Sequence, residues 1–349
     1  MNRKDEHVSL ARAFHQKPKA NDFDAVRLIH SSLVHTRPEE IDLSTNILGL
    51  KLSVPFYINA MTGGSEKTKK INHDLAVIAR DTNLMMATGS VSAALKDPNV
   101  ADSYTVVREV NPNGLILGNM GAGRTSDDAK KIVDLLQADG MQIHLNVPQE
   151  LIMPEGDRDF HEWSKNIEET IQQLTVPVIV KEVCFGMNKE TLQQLQTLGV
   201  KAVDVSGRNG TSFSQIENAR RKKRELDYLD DWGQSTVISL LEAQESSDLT
   251  ILASGGIRNA YDIFKALCLG AKAVGISAAI LDHLISNGID ATIEMIEDWK
   301  VQLHRLYLMT DKTSTADLNY NPIILSDAPK AWCQARGIDY KKLATRQPK

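Results

Sequence analysis

The segment IHLNVPQE at 143–150 sets His144 and Asn146 two residues apart, with Gln149 and Glu150 just beyond. On a strand that spacing puts both side chains on one face, and inward polar groups are tolerated only where they line a site. Glu150 adds a hard oxygen donor suited to Mg2+, which takes carboxylate oxygens and keeps waters while bridging to phosphates. A lone histidine is usually a satisfied core residue, but four convergent polar groups argue for chemistry. Lys181 ends an apolar run, PVIVKEV, and an ammonium aimed into an apolar interior is costly unless it meets an anion. It suits either Schiff-base formation or stabilisation of an anionic cofactor ring. The non-catalytic alternative is an ion pair, for which Glu182 is poorly placed because it faces the other side of the strand.

Glycines and small residues recur in ASGGIRN at 253–259 and GISAA at 275–279, with Arg258 adding a charge. Such segments are either tight turns or a phosphate site built from backbone N–H groups and a helix N-terminus, and their pairing in consecutive units favours the phosphate. At the other end of the chain, RKDEH offers Arg3, Lys4 and His7, cations suited to a diphosphate, although the same run suits a solvated tail. The cluster ARRKKR at 219–224 invites a nucleic-acid reading. Because Glu225, Asp227, Asp230 and Asp231 follow it closely, a solvated loop is the expectation. GNMGAGR at 118–124 lacks the spacing of a dinucleotide fingerprint.

These groups need a scaffold that brings distant segments together. From about residue 55, short apolar runs alternate with longer segments of helical periodicity, the pattern of βαβ units. Strands are predicted at PFYINAM (55), LMMATGS (84), GLILGNMG (114), MQIHLNV (141), PVIVKEV (177), AVDVSG (202), TILASGG (250) and AVGISAA (273). Eight such units close an α/β barrel, a (β/α)8 TIM barrel, whose active site lies at the C-terminal ends of the strands. The polar residues above sit at those ends. Between strands, Ile71, Leu75 and Ile78 fall on one helix face, and DDAKKIVDLLQADG reads as a helix ending at Gly140 as its C-cap. The stretch from Arg208 to Thr236 looks like an inserted loop, a possible lid. A single domain is expected: an N-terminal extension (1–45) contributing to the substrate site, the barrel (about 46–310) and a C-terminal extension (311–349).

A net charge of −5 argues against a surface built for nucleic acid, and 42% hydrophobic residues supply an ample core. Three scattered cysteines without metal-ligand spacing suit a reduced, cytoplasmic setting. The first twenty residues are charged throughout, unlike a secretory signal, and no apolar run is long enough to cross a bilayer, so no membrane association is expected.

Taken together, RKDEH, AMTGG (60–64), TGS (88–90), GNMG (118–121), IHLNVPQE, VKEV (180–183), DVSGRNGTS (204–212), SGGIR and GISAA resemble the type 2 isopentenyl-diphosphate delta-isomerases, which use FMN. The motifs run in order over nearly the whole chain. SGGIR and GISAA are shared by many FMN barrels, whereas RKDEH with HLN and QE is narrower. The resemblance implies FMN contacts from Met61, Thr62, Gly63, Ser90, Asn119, Lys181, Ser206, Thr211, Gly256, Ile257, Arg258, Ser277 and Ala278. It implies substrate contacts from Arg3, Lys4, His7, His144, Asn146 and Gln149, with Glu150 as the Mg2+ ligand. It further implies isopentenyl and dimethylallyl diphosphates as the substrate pair, NADPH as reductant of the flavin, and a homo-oligomer, tetramer or octamer. His144 and Gln149 are the candidates for assisting proton transfer. One departure stands out: Val91 and Ser92 occupy positions where the family commonly carries Gln-Arg, so a substrate-facing cation is absent there. Two rival readings are a net-redox FMN barrel, of the 2-hydroxyacid oxidase or dihydroorotate dehydrogenase type, and a non-catalytic flavin- or RNA-binding barrel using ARRKKR.

Overall fold

Valine- and isoleucine-rich runs buried on both faces are what a parallel sheet wrapped in helices requires. In the computed structural model, which describes residues 3–15, 20–246 and 248–347 apart from the side chains of Arg3 and His15, eight such runs close into one barrel. The strands are β1 (Phe56–Ile58), β2 (Met86–Ala87), β3 (Ile116–Gly121), β4 (Gly140–Leu145), β5 (Val178–Glu182), β6 (Ala202–Asp204), β7 (Thr250–Ser254) and β8 (Ala273–Ile276). Neighbours pair in parallel in sequence order, and β8 returns to β1 with Val274 opposite Phe56. This is the (β/α)8 barrel expected. The second strand is shorter than its apolar run, because the N–H of Gly89 donates to Thr62 O (3.1 Å) and turns the chain toward the mouth.

Six helices matter for the site: α1 (Arg3–His15), α2 (Glu66–Asp81), α3 (Val147–Ile152), α4 (Phe213–Arg220), α5 (Ala260–Cys268) and α6 (Ala278–Met309), the last broken at Gly288 (φ 85°, ψ −178°). The expected face of α2 is the buried one: Ile71, Leu75 and Ile78 pack inward, and Ser65 caps its N-terminus by accepting from Thr68 N. Gly140 is no helix cap. The helix Ser126–Leu136 ends on Gln137 in the left-handed region (φ 47°), and Gly140 opens β4, where a Cβ would lie 2.8 Å from Leu117 Cδ2.

The N-terminal end of the barrel is filled. A hairpin of Thr45–Ile47 and Leu50–Leu52 sends Ile47, Leu50 and Leu52 against Leu117, Ile179 and Leu252 from the strands. The C-terminal ends are left to carry a site. The two chain extensions meet each other: Val26–Leu28 pairs antiparallel with Ile323–Leu325. Arg336 and Trp332 of the helix that follows anchor on Glu242 (2.9 and 2.7 Å).

The stretch expected as an inserted loop contains α4 and a 3-10 turn, Asp227–Leu229. Its basic run is partly neutralised, since Arg220 pairs with Glu217, Glu155 and Glu6, and Arg221 with Glu225. That breaks up the continuous basic face on which an RNA-binding reading would depend. No helix among the described residues is long and apolar enough to cross a membrane.

Candidate active site

A cavity of about 800 Å³ opens at the C-terminal ends of the strands, and α1 lies across it. The helix is tethered on several sides: Asp5 accepts from Ser65 Oγ (2.6 Å), Glu6 pairs with Arg220 (3.2 Å), and Arg12 with Asp282 of α6 (3.1 Å). RKDEH is therefore part of a helical cover, and Lys4, His7 and Val8 face the cavity.

Most residues expected at the site line this cavity. They are Met61, Thr62, Ser90, Asn119, Lys181, Ser206, Thr211, Ile257, Ser277 and Ala278, together with His144, Asn146, Gln149 and Glu150. Gly63, Gly256 and Arg258 are not among the lining residues. Gly63 backs onto the ring of Tyr104, and Gly256 packs against Asn21 and Asn209. The Arg258 guanidinium bonds Asp262 (2.7 Å) and Asp24 (2.6 Å), and its backbone N–H donates to Asp262 (3.1 Å). Arg258 thus braces the first turn of α5 where the sequence suggested a cation on the phosphate. The side chain of Arg3 lies outside the described residues.

Below the mouth sits a buried polar layer. Asp204 accepts from Ser254 Oγ (2.8 Å), Asn59 Nδ2 (2.9 Å), Tyr57 Oη (3.3 Å) and Ser206 N (3.1 Å), fixing the residues that floor the cavity. Close approach makes glycines necessary here: a Cβ on Gly89 would sit 2.4 Å from Thr62 O, and one on Gly275 would sit 2.6 Å from Asn59 Nδ2. Thr62 Oγ1 is buried, faces this cavity and has no hydrogen-bond partner among the described residues. An orphaned hydroxyl of that kind asks for a polar ligand. With the Lys181 ammonium, the hydroxyls of Ser206, Thr211 and Ser277 and the N-terminus of α6, the donor set fits a cofactor carrying a polar ring and a phosphate.

Among the described residues, no carboxylate pairs with Lys181. Its ammonium donates to Glu182 O (2.8 Å), while the Glu182 carboxyl turns away and accepts from Phe185 N (2.6 Å) and Val183 N. Burial pushes that carboxyl up to about 8, against the pull of those N–H groups and of Lys181. The separation of the two side chains is the one expected from strand geometry.

On the α1 side a chain of hydrogen bonds runs through the candidate substrate residues. Asn146 Nδ2 donates to Glu150 Oε1 (2.8 Å) and Gln149 Oε1 (3.2 Å), and Gln149 Nε2 donates to Glu217 Oε1 (2.9 Å). His7 Nε2 lies 3.1 Å from the same Glu217 oxygen, and Arg220 pairs with the other. Burial alone would raise the Glu217 carboxyl, but hydrogen bonds from His7, Gln149 and Arg220 outweigh it and hold it below its ordinary value. Sequence reasoning missed Glu217, which sits just before the basic run in a stretch taken for a loop. It also missed the cavity-lining Lys96 and Arg124, each of which resembles an ordinary surface cation. Phe213, Ile216, Met153 and Trp163 supply apolar wall beside these groups.

The family model described as FMN-dependent dehydrogenase matches residues 124–323. An isopentenyl-diphosphate delta-isomerase of Latilactobacillus sakei subsp. sakei is 51% identical over 325 residues, covering 93% of each chain. One from Listeria welshimeri is 46% identical, covering 99% of this chain and 97% of its own, and one from Staphylococcus haemolyticus is 45% identical over 97% of both. Among solved structures, a flavocytochrome b2 variant with sulfite bound superposes with a TM-score of 0.68 at 20% identity, covering 95% of this chain and 84% of that one. A mandelate oxidase variant gives 0.62 at 15%, covering 93% and 91%. At that identity these structures speak for the fold alone.

Proposed function

This chain belongs to the isopentenyl-diphosphate delta-isomerases, on an FMN-dependent barrel, and from that premise we propose how its mouth converts isopentenyl to dimethylallyl diphosphate: by moving a proton with no net oxidation. The observation that carries the reading is that one cavity is lined both by Lys181, the unpartnered Thr62 hydroxyl and the hydroxyls of Ser206, Thr211 and Ser277, and by His7, His144, Asn146, Gln149 and Glu150.

Reduced FMN, when bound, supplies the acid–base group that can exchange protons with carbon, chemistry that side chains at this mouth are poorly equipped to do. Lys181 would favour an anionic ring, and the unpartnered Thr62 hydroxyl would hydrogen-bond a polar edge. Ser206, Thr211, Ser277 and Ala278 would take the cofactor phosphate. Gln149, held between Asn146 and Glu217, would present a fixed amide to the substrate and limit its poses. His144 hydrogen-bonds in its neutral form. Lys4 and His7 of α1 would meet the diphosphate.

Among the described residues there is no group of three or more His, Cys, Asp or Glu side chains able to hold a metal. Mg2+ would be held mainly by diphosphate oxygens and water, with Glu150 as its protein ligand. NADPH would serve only to keep the flavin reduced. A cytoplasmic homo-oligomer is the setting we propose.

A net-redox reaction needs a base able to take a proton from the oxidised substrate. Among the described residues the histidines on the cavity wall are His7 and His144, and burial holds His144 at about 3, which would make it a weak base for that role at neutral pH. To test the reading, purified protein is incubated anaerobically with isopentenyl diphosphate, Mg2+, FMN and NADPH. Dimethylallyl diphosphate should form, and omission of FMN should abolish it. No isomer with all four present would contradict the proposal.

A further inference from the structure

Toward the rim of the cavity, Lys96 and Arg124 have no hydrogen-bonded carboxylate among the described residues. Lys96 ends a short helix, Ser92–Lys96, after β2, and among the described residues no carboxylate lies within 4.0 Å of its ammonium. Arg124 follows β3, and the carboxylate it approaches, Asp128, stands at 3.8 Å, beyond hydrogen-bond range. The other arginine on the wall, Arg12, is committed to Asp282 and Ser286. Cations on a cavity wall that no carboxylate engages by a hydrogen bond remain available to an anion.

Their positions converge. Val91 N donates to Asn119 O (2.9 Å), tying the root of the Lys96 helix to β3, which leads into Arg124. A Cβ on Gly64 would lie 3.4 Å from Ala93 Cβ and 3.9 Å from Lys4 Cγ, so Lys4 passes beside that same helix. Ser92 also lines the cavity but is uncharged, and Lys96 follows it by four residues on the same helix face. Three cations, from α1, the loop after β2 and the loop after β3, therefore line this one cavity. Gln149 and Lys181 lie deeper and are buried, whereas Lys96 is exposed. A substrate whose alkene reaches the buried groups must leave its far phosphate at the rim.

We infer that Lys96 and Arg124 bind the substrate diphosphate, chiefly its terminal phosphate. The assignment rests on the isomerase reading above. Two Arg- or Lys-to-phosphate contacts at one phosphate give discrimination as well as affinity.

The test uses the FMN-loaded enzyme and the variants Lys96→Gln, Arg124→Gln, the double variant and Arg124→Lys, with FMN titration to confirm that each is folded and loaded. Each Gln variant should raise KM for isopentenyl diphosphate by about tenfold or more. The inhibition constant of isopentenyl monophosphate should change much less, so the preference for diphosphate over monophosphate collapses in the double variant. Arg124→Lys should recover part of it. Unchanged KM in the double variant, or equal weakening of both ligands, would overturn the assignment while leaving the isomerase reading intact. Should the wild type form no isomer, calorimetry with inorganic pyrophosphate still decides: binding weakened by the double variant supports the site, and unaltered binding refutes it.

Discussion

Asn119 holds His144 in a single tautomer. Its Oδ1 lies 2.8 Å from His144 Nδ1 while its own amide nitrogen donates to Thr88 O, so the network assigns the proton to Nδ1 and leaves Nε2 as an acceptor beside Gly121. Burial, reinforced by Lys181 and Lys4, keeps the ring at about 3 against its ordinary 6.5.

The consequence is a pH dependence of stability. The unfolded chain takes up a proton on His144 as pH falls through 6.5, and the folded chain does not until about 3. Stability from this group is therefore complete above 6.5 and is lost progressively as pH falls from there toward 3. His144→Gln should flatten the fall of Tm between about pH 6.5 and 4. A slope as steep as that of the wild type would refute the burial argument.

Glu217 is expected to act through Gln149. Glu217→Gln removes the charge that orients the Gln149 amide and receives His7 and Arg220. Its kcat should drop about 10- to 100-fold, the usual result of misplacing a group at a reacting centre. FMN affinity should stay as it is, because none of the residues assigned to the cofactor bonds Glu217. A kcat within twofold of wild type would remove Glu217 from the working site.

Lys181→Gln tests the proposed electrostatic role. Without the ammonium, an anionic reduced flavin loses its counter-charge, and the midpoint potential of the bound cofactor should move negative. Spectroelectrochemical titration of the loaded variant measures this directly. A potential equal to that of the wild type would show that Lys181 does not face the flavin ring.

Gly89→Ala probes the close approach behind the cofactor side. The new Cβ would lie 2.4 Å from Thr62 O, a backbone atom with little room to yield. A loss of about 1–3 kcal/mol in stability is expected from the overpacking, with weaker FMN binding as Thr62 is displaced. Full retention of both in a denaturant and flavin titration would contradict the geometry.

Strand by strand, the barrel was legible because its signal is local: runs such as PVIVKEV and TILASGG are buried on both faces and bounded by turns. His144 and Asn146 were legible for the same reason, by their spacing of two. The polar chain through Glu217 was not, since Gln149 and Glu217 are separated by 68 residues and meet only when α3 and α4 fold over the mouth. The bracing of Arg258 was not legible, because an arginine beside glycines reads first as a phosphate ligand. Its actual partners, Asp24 and Asp262, come partly from the N-terminal extension, which periodicity does not connect to the seventh strand. Gly140 misled for a related reason: a glycine four residues after a helix serves equally as a cap or as a strand position with no space for a side chain.

The central claim is that the double bond moves by proton exchange with no net electron transfer. The most direct measurement is anaerobic turnover in D2O with a sub-stoichiometric amount of NADPH, following deuterium in dimethylallyl diphosphate and counting product formed per NADPH oxidised. Deuterated isomer accumulating over many turnovers per NADPH is the expected result. One NADPH consumed per product, or isomer formed without deuterium, would contradict it.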